Sequence, residues 1–248
     1  STDTGSIIVG ASESAVTGDG HDAISWTSFG SRLTNFSWGE NIYTSGYGDL
    51  FGGSAGVDEY YTDTFGGTSG ACPIVAGCGG VLNNIWRNLN SGDNIAPNTL
   101  RDFLQINGTP NTAPSTPIGV MPNLFGIMAP DLAPYEPSGW SAEIVPNNTL
   151  GDHMFPAHLS PLPAATYIGW AYRNLSYFMM ASPANSQIFR DDVPLATTGP
   201  DFAPRQWGFV NGLETTVRGG NHYWKLKVDQ GDDLLESNEG NNTFINMF

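Results

Sequence analysis

Basic side chains are scarce in this 248-residue chain: nine Lys and Arg stand against 24 Asp and Glu, a formal net charge of −15. A surface this acidic repels phosphate backbones and anionic lipid, which argues against nucleic acid and membrane surfaces as partners. Long apolar runs are absent too. None approaches the roughly 20 residues needed to span a bilayer. The opening STDTGSIIVG has neither the charged start nor the apolar stretch of a signal peptide. Cysteine is limited to Cys72 and Cys78. On a helix that spacing amounts to about 9 Å along the axis, too far for a disulfide, so the pair reads as two small buried residues. Lysine occurs only as Lys225 and Lys227. So few lysines in so acidic a chain suit a secreted protein in salty water.

Glycine (31) and proline (17) are plentiful and imply many turns, while 40 % apolar and 12 % aromatic residues suffice for a real core. At about 100–200 residues per domain, the length allows one large domain or two small ones. Prolines crowd the stretch from Pro110 to Pro137. Proline removes a backbone donor and disfavours helix at the residue before it, so this stretch is expected to be extended coil linking two domains, 1–130 and 131–248.

The first domain reads as α/β. Ile7-Ile8-Val9 is a short apolar strand of the kind buried on both faces of a parallel sheet, with weaker strands at 32–37 and 41–44. A Gly-rich acidic loop spans Gly46–Asp63. Then Ala71, Val75, Cys78, Leu82, Ile85 and Leu89 recur at helical spacing, widened by Ile74, Val81 and Trp86, which predicts a buried helix over 69–89. A second helix fits Thr99–Ile106. In the second domain the period is two: Trp224, Leu226 and Val228 alternate with Tyr223, Lys225, Lys227 and Asp229, and 166–172 is also strand-like. Short strands among Pro, Gly and Asn turns indicate a β-sandwich.

Ser69 stands where a loop enters the long helix, at the positive end of its dipole. A serine here is commonly only a helix cap. Pro73 falls in the first turn, where a missing N–H does no harm. Gly70, Gly77, Gly79 and Gly80 are costly in a helix, about 1 kcal/mol each relative to Ala. Close approach of other backbone would offset that cost.

The segment GTSGACPIVAG resembles the serine motif of subtilisin-like serine proteases, G-T-S-x-A-x-P followed by V-A-G. Gly67, Thr68, Ser69, Ala71, Pro73, Val75, Ala76 and Gly77 match; Gly70 and Cys72 depart from the usual residues. GSIIVGAS (5–12), the segment 28–50 and NTLRDFLQINGTP (98–110) are also similar to that family. The resemblance covers about residues 5–127. It implies the C-terminal half of a three-layer parallel-sheet peptidase domain, with Ser69 as nucleophile, Thr68 supporting the oxyanion site, and peptides or proteins as substrates. The family's catalytic Asp and His and its oxyanion Asn precede the IIVGA strand, and none of their motifs is present. Asp3-Thr4-Gly5 imitates the Asp motif but abuts IIVGA directly, and His21 in GDGHDA lacks the His context. A serine without a base is a poor nucleophile. The expectation is therefore an endopeptidase completed by a missing N-terminal portion or a separate chain, with a large apolar surface open around the serine helix. The alternative is a structural or adhesive extracellular protein on a subtilase scaffold that no longer cuts. An α/β-hydrolase elbow would need a histidine after the serine, and His153, His158 and His222 all lie beyond the proline-rich stretch. A chymotrypsin-type serine would sit in an all-β barrel.

From Asp131 on, PDLAPYEP and the ending with Val228-Asp229, Glu236-Ser237-Asn238-Glu239 and Asn241-Asn242 resemble a CARDB-type, Ig-like domain of secreted and surface bacterial proteins. Asp229, Asp232, Asp233, Glu236 and Glu239 offer oxygen ligands for a structural Ca²⁺, or form a solvated acidic turn; no cofactor is required. The N-x-S/T triplets, as at Asn35 and Asn107, carry little meaning in a sequence of bacterial appearance.

Overall fold

The computed structural model describes residues 4–54, 56–154, 164–182, 185–218 and 220–247. It divides into two compact units, Ser1–Ile127 and Met128–Phe248.

In the first unit, β1 (Val9–Ser12) pairs in parallel with β2 (Asn35–Trp38). A second, antiparallel sheet is built from β3 (Ile42–Ser45), β4 (Phe51–Gly52) and β5 (Tyr60–Phe65), in the order β3-β5-β4. The helix α1 runs Thr68–Leu89 and α2 runs Pro97–Gln105. The strands β6 (Thr109–Pro110) and β7 (Val120–Met121) complete the first sheet in the order β1-β2-β7-β6, with β7 parallel to β2, and α3 (Leu124–Met128) follows. The expected strand at 7–9 thus forms slightly later, at Val9–Ser12, and the segment expected to be extended coil holds two short strands and a helical turn.

Alternation along β1 and β2 decides what each sheet face meets. Ala11 packs with Ala71 of α1, flanked by Val9, and Asn35 on the same face donates to the Leu104 carbonyl of α2 at 3.0 Å. Both helices therefore lie on one face. Phe36, on the other, is fully buried beneath loop residues; its ring meets His21 edge-on at 6.3 Å. Among the described residues no helix covers that second face, so the expected third layer is not seen here. The reading of helix 69–89 as buried is also corrected. Gly70, Ala71, Val75, Gly79 and Leu82 are buried, whereas Cys72, Pro73, Ile74, Ala76, Gly77, Gly80 and Val81 are exposed. Cys72, read as buried, is exposed, and Cys78 is only half-buried; both are free thiols.

The second unit is all-β. Its strands are β8 (Leu132–Pro134), β9 (Ile144–Asn147), β10 (Ala164–Asn174), β11 (Ser186–Arg190), β12 (Val193–Thr198), β13 (Trp207–Val217), β14 (Tyr223–Val228) and β15 (Thr243–Met247). They form two antiparallel sheets, β13-β10-β8 with β9 beside β10, and β12-β11-β14-β15. Inward-facing Ile168, Trp170 and Tyr172 of the first sheet meet Ile188, Trp224, Leu226 and Val228 of the second in one buried cluster, the core of a sandwich. Trp170 Nε1 donates to Ser186 Oγ at 3.1 Å, tying the sheets together across that core. Among the described residues no helix is long and apolar enough to cross a membrane.

Candidate functional site

The entry to α1 is built by glycine. Gly67 adopts φ 85°, ψ 172°, a backbone conformation costly for other residues, and its N–H donates to the Gly39 carbonyl at 2.7 Å. Its own carbonyl accepts from Gly70 and Ala71, starting the helix. Thr68 and Ser69 therefore occupy the first turn with side chains exposed. Their N–H groups precede the helix's first internal hydrogen bonds and point along the positive end of its dipole. At this place a hydroxyl oxygen that develops negative charge is favoured.

Between α1, the strand β1 and the start of α2 lies an open groove of about 630 Å³, lined by Ile7 and Val9, by Cys72, Val75, Ala76 and Gly80 of α1, and by Ile95 and Leu100. Val9 belongs to β1, the outermost strand of its sheet. The helix glycines divide accordingly. A Cβ on Gly70 would meet Ile42 Cδ1 at 2.4 Å, and one on Gly79 would touch Leu100 at 3.5 Å, whereas nothing lies within 4 Å of Gly77 or Gly80. Packing inside the unit accounts for Gly70 only, because 3.5 Å at Gly79 is ordinary contact.

Within this unit Ser69 has no histidine beside it. His21 lies against Phe36, on the sheet face turned away from α1. Glu40 accepts from the Ser14 N–H at 3.1 Å and from the Thr17 hydroxyl. Gly5 of the Asp-Thr-Gly imitation packs against Pro97 and Asn98 at the start of α2; Asp3 lies outside the described residues. In the second unit, His222 Nδ1 stands 2.8 Å from Asp191, and His153 stacks on Trp140 with centroids 3.7 Å apart. His158 lies outside the described residues.

The acidic ending folds into a cluster. Asp229, Glu236 and Glu239 bring carboxylate oxygens within 4.8 Å of one another. Asp229 is fully buried and accepts from the N–H groups of Asp233 and Leu234, both at 3.1 Å. Glu236 is 4 % exposed; it accepts from Leu132 N–H and from Asn242 Nδ2 at 3.2 Å. Glu239 accepts from Glu236 N–H at 3.0 Å and from the same Asn242 amide at 3.2 Å. Burial pushes the Glu236 carboxyl up to about 7; the Leu132 N–H opposes the shift, and the Glu239 and Asp229 charges reinforce it. The buried Oδ1 of Asn242 has no hydrogen-bond partner. Asp232 and Asp233 are not brought into the cluster: Asp232 faces Lys227 at 3.8 Å, and Asp233 contributes its backbone.

Sequence patterning did not reveal the outer face of the first sandwich sheet. There Trp140 and His153 stack almost parallel over Gly169, where a Cβ would meet His153 Cδ2 at 2.6 Å. The only signal was a lone glycine in an apolar strand.

No protein-family model and no curated protein matches this chain. Among solved structures it is similar to the CARDB domain of a Pyrococcus furiosus protein, crystallised in complex with di-metal ions: 13 % identity, covering 48 % of this chain and 91 % of that one, TM-score 0.36. It is also similar to a domain of a Methanosarcina acetivorans protein described as a cell surface protein: 18 % identity, 48 % and 90 % covered, TM-score 0.34.

Proposed function

We propose that residues 1–130 are the serine-bearing portion of a subtilisin-like endopeptidase and that Ser69 is its acyl-forming nucleophile. The observation that carries this reading is the exposed Ser69 hydroxyl in the first turn of α1, beside an apolar groove along the same helix that the first unit leaves open. In this reading a partner portion outside these 248 residues covers the groove and brings a His, an Asp and an oxyanion Asn. Ser69 Oγ bonds to the scissile carbonyl carbon while its proton passes to the imidazole, held in place by the Asp. The developing oxyanion meets the Ser69 N–H, with Thr68 beside it. The imidazolium then protonates the leaving amine, and water releases the acyl group. The test is proteolysis of an unfolded protein substrate by the chain expressed together with its own upstream coding sequence. Cleavage that disappears in Ser69→Ala supports the reading; full cleavage by that variant refutes it.

A second reading is favoured by one observation, the lack of any histidine beside Ser69 within its unit: a non-catalytic structural or adhesive protein on the same scaffold. It predicts no cleavage in the same experiment. In either case residues 131–248 would be a CARDB-like module of a secreted or cell-surface protein. Asp229, Glu236 and Glu239, with the unpartnered Asn242 oxygen, fit a hard divalent cation such as Ca²⁺, which would neutralise three clustered carboxyls.

A further inference from the structure

The antiparallel sheet that delivers the chain to Ser69 carries a row of rings on its outer face. Ser45 and Phe51 both stand opposite Tyr61 in register, which sets Phe51 and Tyr61 on one face with ring centroids 6.4 Å apart. Tyr43, two residues before Ser45 on the same strand and beside a shift in the β3–β5 register, is exposed with Ser45, while the alternating Ile42 and Thr44 are half-buried. Tyr43 is 72 % exposed, Phe51 55 % and Tyr61 51 %, one from each strand of the sheet. The opposite face is occupied: Thr62 is fully buried, and Ile42 packs beneath Gly70 of α1. The outer face therefore stays free while the inner one anchors it to the helix.

Charge says what would bind there. Residues 43–65 hold Asp49, Asp58, Glu59 and Asp63 and neither Lys nor Arg. Asp49 is taken up by the hydroxyls of Thr62 and Thr64, at 2.9 and 2.8 Å, while Asp58 is exposed. Tyrosine and phenylalanine faces attract cations as well as apolar groups. In the order β3-β5-β4, β3 and β4 are the outer strands of this sheet, the position at which an extended chain can add.

We propose that the outer face of β3-β5-β4 binds an extended polypeptide rich in basic and apolar side chains. As a statement about substrate class it rests on the reading of Ser69 as nucleophile, since β5 leads directly into the serine turn; binding itself does not need that chemistry.

The test is fluorescence anisotropy with the full chain and two labelled peptides, one alternating Lys with Leu and Tyr, its twin carrying Glu for Lys. The Lys peptide should bind at least about ten-fold more tightly, and added salt should weaken it. Replacing Tyr43, Phe51 and Tyr61 together by Ser should cost at least about ten-fold in affinity. The Asp58→Asn/Asp63→Asn variant, which removes charge and no ring, should weaken binding several-fold and guards against a ring variant that fails to fold. Equal binding of both peptides, or affinity unchanged in either folded variant, overturns the proposal. So does ring-dependent self-association in sedimentation, which would give the face to a second copy of the chain. Peptide binding without any cleavage by the protein expressed with its upstream sequence would sink the peptidase reading alone, and cleavage without charge preference would sink this inference alone.

Discussion

At the scale of single residues, His153 shows how burial becomes a measurable property. Its ring lies flat on Trp140, edge-on to Phe209 at 6.2 Å. Burial holds its pKa below the usual 6.5, opposed by a hydrogen bond to Asn211 and by the charge of Asp152. A histidine with a depressed folded pKa lends stability that is fully present above the unfolded value and is lost as pH falls through the folded one. Between pH 7.5 and 5.5 His153 should therefore cost the second unit stability while proton uptake by Glu236, raised to about 7, adds it. His153→Gln should raise the urea midpoint at pH 5.5 relative to pH 7.5, compared with the unsubstituted chain. Gly169→Ala, which drives a Cβ into the same ring, should lower stability by about 1–3 kcal/mol and change the Trp140 fluorescence. Neither the stack nor its glycine seat was legible beforehand, because Trp140, His153 and Gly169 are distant in sequence and share no period.

At the scale of elements, α1 is the most informative. Its span was legible from spacing almost to the residue, Thr68–Leu89 against 69–89, because apolar side chains at three- and four-residue steps leave little choice. Which side is covered was not legible, since Ile74 and Val81 look like core in sequence but stand exposed at 37 % and 42 %. The unexplained Gly77 and Gly80 sit on that open side, and they give a two-sided test. In the 248-residue chain, Gly77→Ala and Gly80→Ala should each raise stability by about 1 kcal/mol, because open space surrounds both. In the protein expressed with its upstream sequence, the same changes should reduce proteolysis, because the covering backbone would meet the new methyls. In the acidic ending the sequence offered five candidate carboxylates, Asp229, Asp232, Asp233, Glu236 and Glu239, but not which of them converge. Folding selects Asp229, Glu236 and Glu239 and leaves Asp232 and Asp233 outside. Saturating Ca²⁺, about 100 times its dissociation constant, should stabilise the sandwich by about 2.7 kcal/mol, and Glu236→Gln should remove most of that gain in calorimetry.

At the scale of the whole molecule, the switch from helical to period-two patterning corresponds to two units of different architecture. One sets parallel strands against helices, and the other is a sandwich of two antiparallel sheets. The core of the sandwich followed from alternation such as Trp224, Leu226 and Val228, all fully buried. The chemistry of the first unit could not follow from its own residues alone. Ser69 is presented at a helix mouth, yet the side chains that would activate it are not beside it in the unit. The central claim is that Ser69 becomes a nucleophile only when another portion covers the groove along α1. Fluorophosphonate labelling followed by peptide mass spectrometry tests it most directly. The account predicts no adduct on the 248-residue chain, and a single adduct on Ser69 when that chain is expressed with its upstream sequence. Absence of an adduct on that longer protein while α1 is folded, or an adduct on another serine, would contradict it.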